Sequence, residues 1–151
     1  MKKSEFDLIL NKVFRPFETK FHFKRSATAF VHGGFSVQFL NDTTEITLHY
    51  KIGNEPWFTI ADLQNPENSS TLEWLLVERG VAKAPAPEQA FHPVTFHEAF
   101  LEPTLVTKRE QLSQYAADLF QGDFSLMPAL QKRAAKYERD CKRYIALHTQ
   151  K

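Results

Sequence analysis

The chain has 151 residues, a formal net charge of +1, 25% charged and 42% hydrophobic residues. That balance excludes low-complexity disorder, and the length suits one domain over residues 1–151 that buries roughly two-thirds of its unfolded surface. Cys141 is single, so no internal disulfide is expected; the compartment reads as reducing, and no structural metal is needed to hold a core of this size.

Ser4 is expected to open the first helix, with Asp7 as capping partner. Phe6, Leu10, Val13 and Phe17 then form one apolar stripe at helical spacing. Pro16 has no backbone donor and is expected to kink or stop that helix near Phe14. Period-two alternation follows: Phe21 with Phe23, then Phe35, Val37 and Phe39, then Ile46, Leu48, Tyr50 and Ile52. Gly33-Gly34, Asn41-Asp42-Thr43-Thr44 and Gly53-Asn54-Glu55-Pro56 supply the turns between them. The run from Trp57 to Leu63 adds another strand, which makes an antiparallel meander of four or five strands.

After Leu63 the period becomes helical. Ser70 is expected to cap a helix with Leu72, Leu75 and Leu76, stopped by Gly80. Residues 81–93 hold three prolines and no period, which reads as a loop. Thr95 with Glu98 and Thr107 with Glu110 resemble capping boxes, the second opening a helix that ends at Gly122. Ser125 precedes the longest helix, with Leu130, Tyr137, Cys141 and Tyr144 in register. Strands first and helices afterwards predict an α+β fold, three or four C-terminal helices lying on one sheet face. The first and last helices are both expected to face Phe35, Val37, Ile46 and Leu48.

The charge is segregated: residues 1–25, 26–125 and 126–151 carry +4, −8 and +5. Basic terminal helices docked beside an acidic middle explain this, and so does a basic surface for an anionic partner. Lys132, Arg133, Lys136, Arg139, Lys142 and Arg143 could follow a phosphate backbone, but they surround the polar side of their helix instead of forming a narrow stripe.

Signatures of chemistry fail on spacing. His97-Glu98 begins like a zinc-protease helix, but Leu101 stands where the second His is required. The remaining histidines, His22, His32, His49, His92 and His148, are scattered. Cys141 lies on an apolar stripe, which suits a buried structural thiol better than a nucleophile. Gly33-Gly34 has no helix behind it to cradle a phosphate. The two glycosylation-type triplets, Asn41-Asp42-Thr43 and Asn68-Ser69-Ser70, read as turn and helix-cap chemistry. No catalytic residue, metal ligand or cofactor is assigned. The start, Met1-Lys2-Lys3-Ser4-Glu5-Phe6, reads as no secretory signal, and no stretch approaches the roughly 20 apolar residues of a membrane span. The expected compartment is the cytoplasm.

Phe14-Arg15-Pro16-Phe17, Phe21-His22-Phe23-Lys24-Arg25 and Thr28-Ala29-Phe30-Val31 together resemble the opening of a group of small, uncharacterised bacterial α+β domains, over about residues 5–60. In those, a helix ends in an apolar-basic run of the type Gly-Phe-Lys-Lys and feeds a meander; His22 stands in the place of the usual Gly. Several such domains are encoded near toxins, so the resemblance implies an immunity-like interaction protein and assigns no residue.

Alternation that turns Ile46, Leu48 and Tyr50 inward turns Glu45, Thr47, His49 and Lys51 outward, beside Ser36, Gln38, Trp57 and Thr59. An outward Trp among His, Lys, Gln and Glu has the composition of an interface hot spot. The expected role is a non-catalytic interaction module binding a protein partner through Gln38, Thr47, His49, Lys51 and Trp57. The alternatives are a cover over Trp57 from the 81–93 loop, a nucleic-acid-associated protein using the basic terminal helices, and an enzyme whose site assembles only in three dimensions. Oligomeric state is not legible.

Overall fold

The computed structural model describes residues 1–91 and 94–149, and shows an α+β fold. Helix α1 spans Lys3–Phe21. Its N-cap is Lys2 and not Ser4, because Glu5 Oε2 accepts from the Lys2 backbone N–H at 2.9 Å. The helix runs through Pro16 without stopping. A proline there costs ~3 kcal/mol through the lost backbone bond. Aromatic packing on both sides offsets that cost: the Phe17 ring has Phe14, Phe21, Phe23, Phe39 and Phe120 at 5.0–6.4 Å. Phe21, expected in a strand with Phe23, is therefore the last helical residue. His22 ends the helix at φ 61°, the left-handed conformation glycine adopts most easily.

Six strands follow: β1 Lys24–Arg25, β2 Ala29–Val31, β3 Gly34–Leu40, β4 Thr44–Lys51, β5 Trp57–Asp62 and β6 Asn65–Thr71. They make one antiparallel sheet in the order β1-β3-β4-β5-β6, with β2 also paired to β3. Gly34 lies so close to β4 that a Cβ on it would collide with the Tyr50 carbonyl oxygen. The last strand has no apolar alternation to announce it. Asn65-Pro66-Glu67-Asn68-Ser69-Ser70-Thr71 is a strand because β5 pairs with it on one side. On the other side Gln131 Nε2 donates to the Glu67 and Ser69 carbonyls at 2.8 and 3.2 Å, which covers an otherwise open edge.

Helices α2 Leu72–Glu78, α3 Leu101–Tyr115, α4 Ala117–Phe120 and α5 Met127–Thr149 complete the fold, with short 3-10 turns at Pro87–Phe91 and Glu98–Phe100. Thr71, not Ser70, caps α2 through its Oγ1. Helix α3 starts well before Thr107, whose hydroxyl instead donates to the Pro103 carbonyl within the helix. Glu98 takes the Met1 amino group at 3.0 Å, and no Thr95 cap forms at that turn. Part of the stretch expected as an unstructured loop is the 87–91 turn; His92 and Pro93 lie outside the described residues.

The core is one cluster, with α1 and α3 as its helical layer. Phe6, Leu10, Val13, Phe14 and Phe17 of α1 and Leu101, Leu105 and Leu112 of α3 are buried with Val37, Ile46, Leu48, Phe58 and Ile60. The expectation that α5 would share this layer is corrected. Only its Met127 and Leu130 are buried, and it packs along β6, α2 and the 87–91 turn. Tyr137 reaches Trp74 and Tyr144 stacks on Phe91 instead of on the sheet. Cys141 is accordingly half-exposed, not a core thiol. Ile52, past the end of β4, is also exposed.

The Asn41–Thr44 turn does more than reverse the chain. Asn41 Oδ1 accepts from the Thr43 and Thr44 backbone N–H groups, while its Nδ2 donates to the Phe120 carbonyl at 3.0 Å. Thr43 and Thr44 hydroxyls donate to the Phe120 and Leu119 carbonyls at 2.9 and 2.8 Å. The exposed carbonyls at the end of α4 are thus satisfied by a β-turn.

Candidate functional site

Residues alternate strictly along β4: Thr44, Ile46, Leu48 and Tyr50 are buried, while Glu45, Thr47, His49 and Lys51 lie toward the other face. Register then places Gln38 beside Thr47, Ser36 beside His49, Thr47 beside Thr59 and His49 beside Trp57. The five expected contact residues therefore do share the face opposite the core. They are not equally available. Gln38 Nε2 donates to Glu45 Oε1 at 2.8 Å, Thr47 is half-buried, and Lys51 is exposed at the end of its strand.

His49 and Trp57 form the centre of the surface. Their rings stack at 5.0 Å with 15° between planes. His49 Nε2 also lies 3.4 Å from Thr59 Oγ1. Burial holds the His49 pKa below its ordinary value of 6.5, so the neutral ring is favoured. Trp57 remains 37% exposed, so the segment from 82 to 85 flanks it without covering it.

Trp57 is a wall common to two clefts. The smaller, about 330 Å³, is lined by Val31, His32, Ser36, His49 and Lys51 among others. It abuts β2, whose residues are all exposed. The larger, about 470 Å³, runs from Trp57 and Thr71 to Trp74, Val77, Pro85 and Tyr137. Sequence reasoning found Trp57 and missed Trp74, Pro85 and Tyr137. These come from α2, the 81–86 segment and α5, and no spacing in the chain links them to β5. The one available signal was that each is a large or rigid apolar residue beside polar neighbours.

Lys108 of α3 fixes one border of the larger cleft: its Nζ lies 3.3 Å from Glu73 and 3.5 Å from Glu55, and its side chain is only 12% exposed. On α5, Arg133 pairs with Glu78, Lys136 with Asp140 and Lys142 with Glu138. Lys132, Arg139 and Arg143 make no ion pair among the described residues. Half of the basic cluster is thus already matched by acids.

Among the described residues, no group of three His, Cys, Asp or Glu side chains gathers as a metal site. None of the helices described is long and apolar enough to cross a membrane. No protein-family model matches the chain, no curated protein matches it, and no solved structure matches its fold.

Proposed function

We propose that this chain is a non-catalytic interaction module that engages a protein partner through the outer sheet face around Trp57. In its most concrete form the partner is a toxin and the module neutralises it, a reading supported by the resemblance of residues 5–60 to immunity-like domains. The observation that carries the interaction reading is the Trp57–His49 stack, an aromatic pair left partly open between two apolar-walled clefts on a face free of the core. Binding hot spots are enriched in Trp and concentrate at pockets near the middle of a contact surface.

The test compares the wild-type chain with Trp57→Ala against a partner captured on the purified protein. Truncating such an anchor costs about 2 kcal/mol or more, so binding should weaken roughly thirty-fold while the melting temperature barely moves. Reversing Lys132 and Arg139 to Glu should leave that binding intact. If the α5 reversals abolish binding, or the protein is retained on heparin with a steep salt dependence, the basic helix and a nucleic-acid partner replace this reading.

A further inference from the structure

We infer that the smaller cleft seats a carboxylate of the partner, an Asp or Glu side chain on its surface; the inference rests on the interaction reading above and names the group recognised. The cleft lies at one corner of the outer face. Register sets Val31, Gly34 and Lys51 in one row across β2, β3 and β4, and Ser36, His49 and Trp57 in the next across β3, β4 and β5. Gly34 has no side chain and that of Ser36 is short. A hollow of about 330 Å³ is left between Val31, Lys51 and the His49–Trp57 pair.

Charge singles out the occupant. The lining holds His32, His49 and Lys51, and among the described residues no Asp or Glu joins them. Elsewhere on the molecule Lys108, Arg133, Lys136 and Lys142 each pair with an acid. Lys51 pairs with none among the described residues. Its nearest acid in sequence, Glu55, lies 3.5 Å from Lys108 instead. Glu45, on the outer side of the same strand, is roughly 20 Å along it and accepts from Gln38.

The other donors of the hollow are open as well. Ser36 is half-buried beside His49, and its hydroxyl has no hydrogen-bond partner among the described residues. His32 sits at φ 51° in the two-residue turn before Gly34, where Asn or Gly is the favoured residue. The turn itself does not call for an imidazole, yet one lines the hollow there. A hydroxyl, an imidazole and an ammonium group around one space are donors for an oxyanion. Burial favours the neutral His49 ring, and with His counted neutral Lys51 is the one formal charge. One charge matches a carboxylate better than the nearly doubly charged phosphate group. Val31 and Trp57 supply apolar walls for the methylene groups that carry the carboxylate.

The test is a nitrogen-15 NMR titration of the whole protein with a Leu-Glu-Leu peptide blocked at both ends. It should shift the Trp57 indole N–H and the Ser36 and Lys51 amides saturably, and leave the Trp74 indole in place. Blocked Leu-Gln-Leu should bind about five-fold or more weakly, because the charge-assisted bond to Lys51 is lost. Lys51→Gln should weaken Leu-Glu-Leu by a similar factor without moving the melting temperature, since Lys51 is exposed at the end of its strand. Four results overturn the inference: no shift at millimolar Leu-Glu-Leu, equal binding of the two peptides, binding that survives Lys51→Gln, or tighter binding of a phosphoserine analogue. Tighter binding of Leu-Gln-Leu with a free C-terminus overturns it too, in favour of a chain-end carboxylate. The two readings separate cleanly. If partner binding depends on Trp57 while Leu-Glu-Leu shifts nothing, the interaction surface stands and the carboxylate seat falls. If partner binding ignores Trp57→Ala, the interaction reading falls and takes this inference with it.

Discussion

The two faces of the sheet use aromatic residues in opposite ways. On the core face the aromatic of choice is Phe: Phe6 stacks on Phe35 at 4.8 Å, Phe14 lies 5.1 Å from Phe39 and 5.8 Å from Phe58, and all five are buried. On the outer side the aromatics are His49, Trp57, Trp74 and Tyr137, each left partly open. Eight of the fourteen Phe are buried but neither Trp is, and only one of the four Tyr is. The chemistry explains the sorting. Phe can be enclosed without leaving a polar group unmatched, whereas Trp and Tyr carry a donor that needs a partner or water. The lesson is that an aromatic-rich chain is not automatically all core. Here the enclosed rings are nearly all Phe, although Phe30, Phe91 and Phe100 are themselves exposed.

The contrast breaks most visibly under truncation. Phe39→Ala should lower stability by ~3–5 kcal/mol, because the cavity opens between α1 and the sheet where Phe14 and Phe17 cannot follow. Urea denaturation measures it, and a loss below about 1 kcal/mol would show that the core face tolerates gaps as the outer face does.

Tyr50 is the exception that sharpens the rule. It is buried on the Phe side, 6.0 Å from Phe6, and its hydroxyl has no hydrogen-bond partner among the described residues. Burial, with Glu98 nearby, raises its pKa above the ordinary tyrosine value. An orphaned buried donor costs ~1–3 kcal/mol. Tyr50→Phe should therefore be neutral or stabilising by about 1 kcal/mol in thermal or urea melts. A clear loss of stability would mean that the hydroxyl is bonded.

The smallest effect is a pH dependence on the outer face. The folded state lowers the His49 pKa, so between the folded value and 6.5 the unfolded chain binds more protons than the folded one. Stability from the neutral His49 ring is then fully present above 6.5 and is lost as pH falls toward the folded pKa. His49→Gln should flatten the acid side of the stability profile, by a few tenths of a kcal/mol given partial exposure. Titration of the His49 ring by NMR checks the direction; a midpoint above 6.5 contradicts it.

Local order alone determined much of this protein. The period-two runs of β3, β4 and β5 and the helical stripe of α1 announced both the elements and their buried faces, because alternation at a fixed spacing has only one way to bury its apolar side. The same alternation is enough to assign Gln38, Thr47, His49, Lys51 and Trp57 to one face. The tertiary fold decided everything that local patterning leaves undetermined. Asn65–Thr71 became a strand because β5 and Gln131 pair with its backbone, α1 continued past Pro16 because Phe17 and Phe21 are held by a ring of other aromatics, and α5 slid to the sheet edge although its stripe looked suited to the core. The larger cleft belongs to the same class. Trp57, Trp74, Pro85 and Tyr137 are far apart in the chain and meet only because α2 and α5 pack beside β6, and no pattern within one element encodes the packing of three.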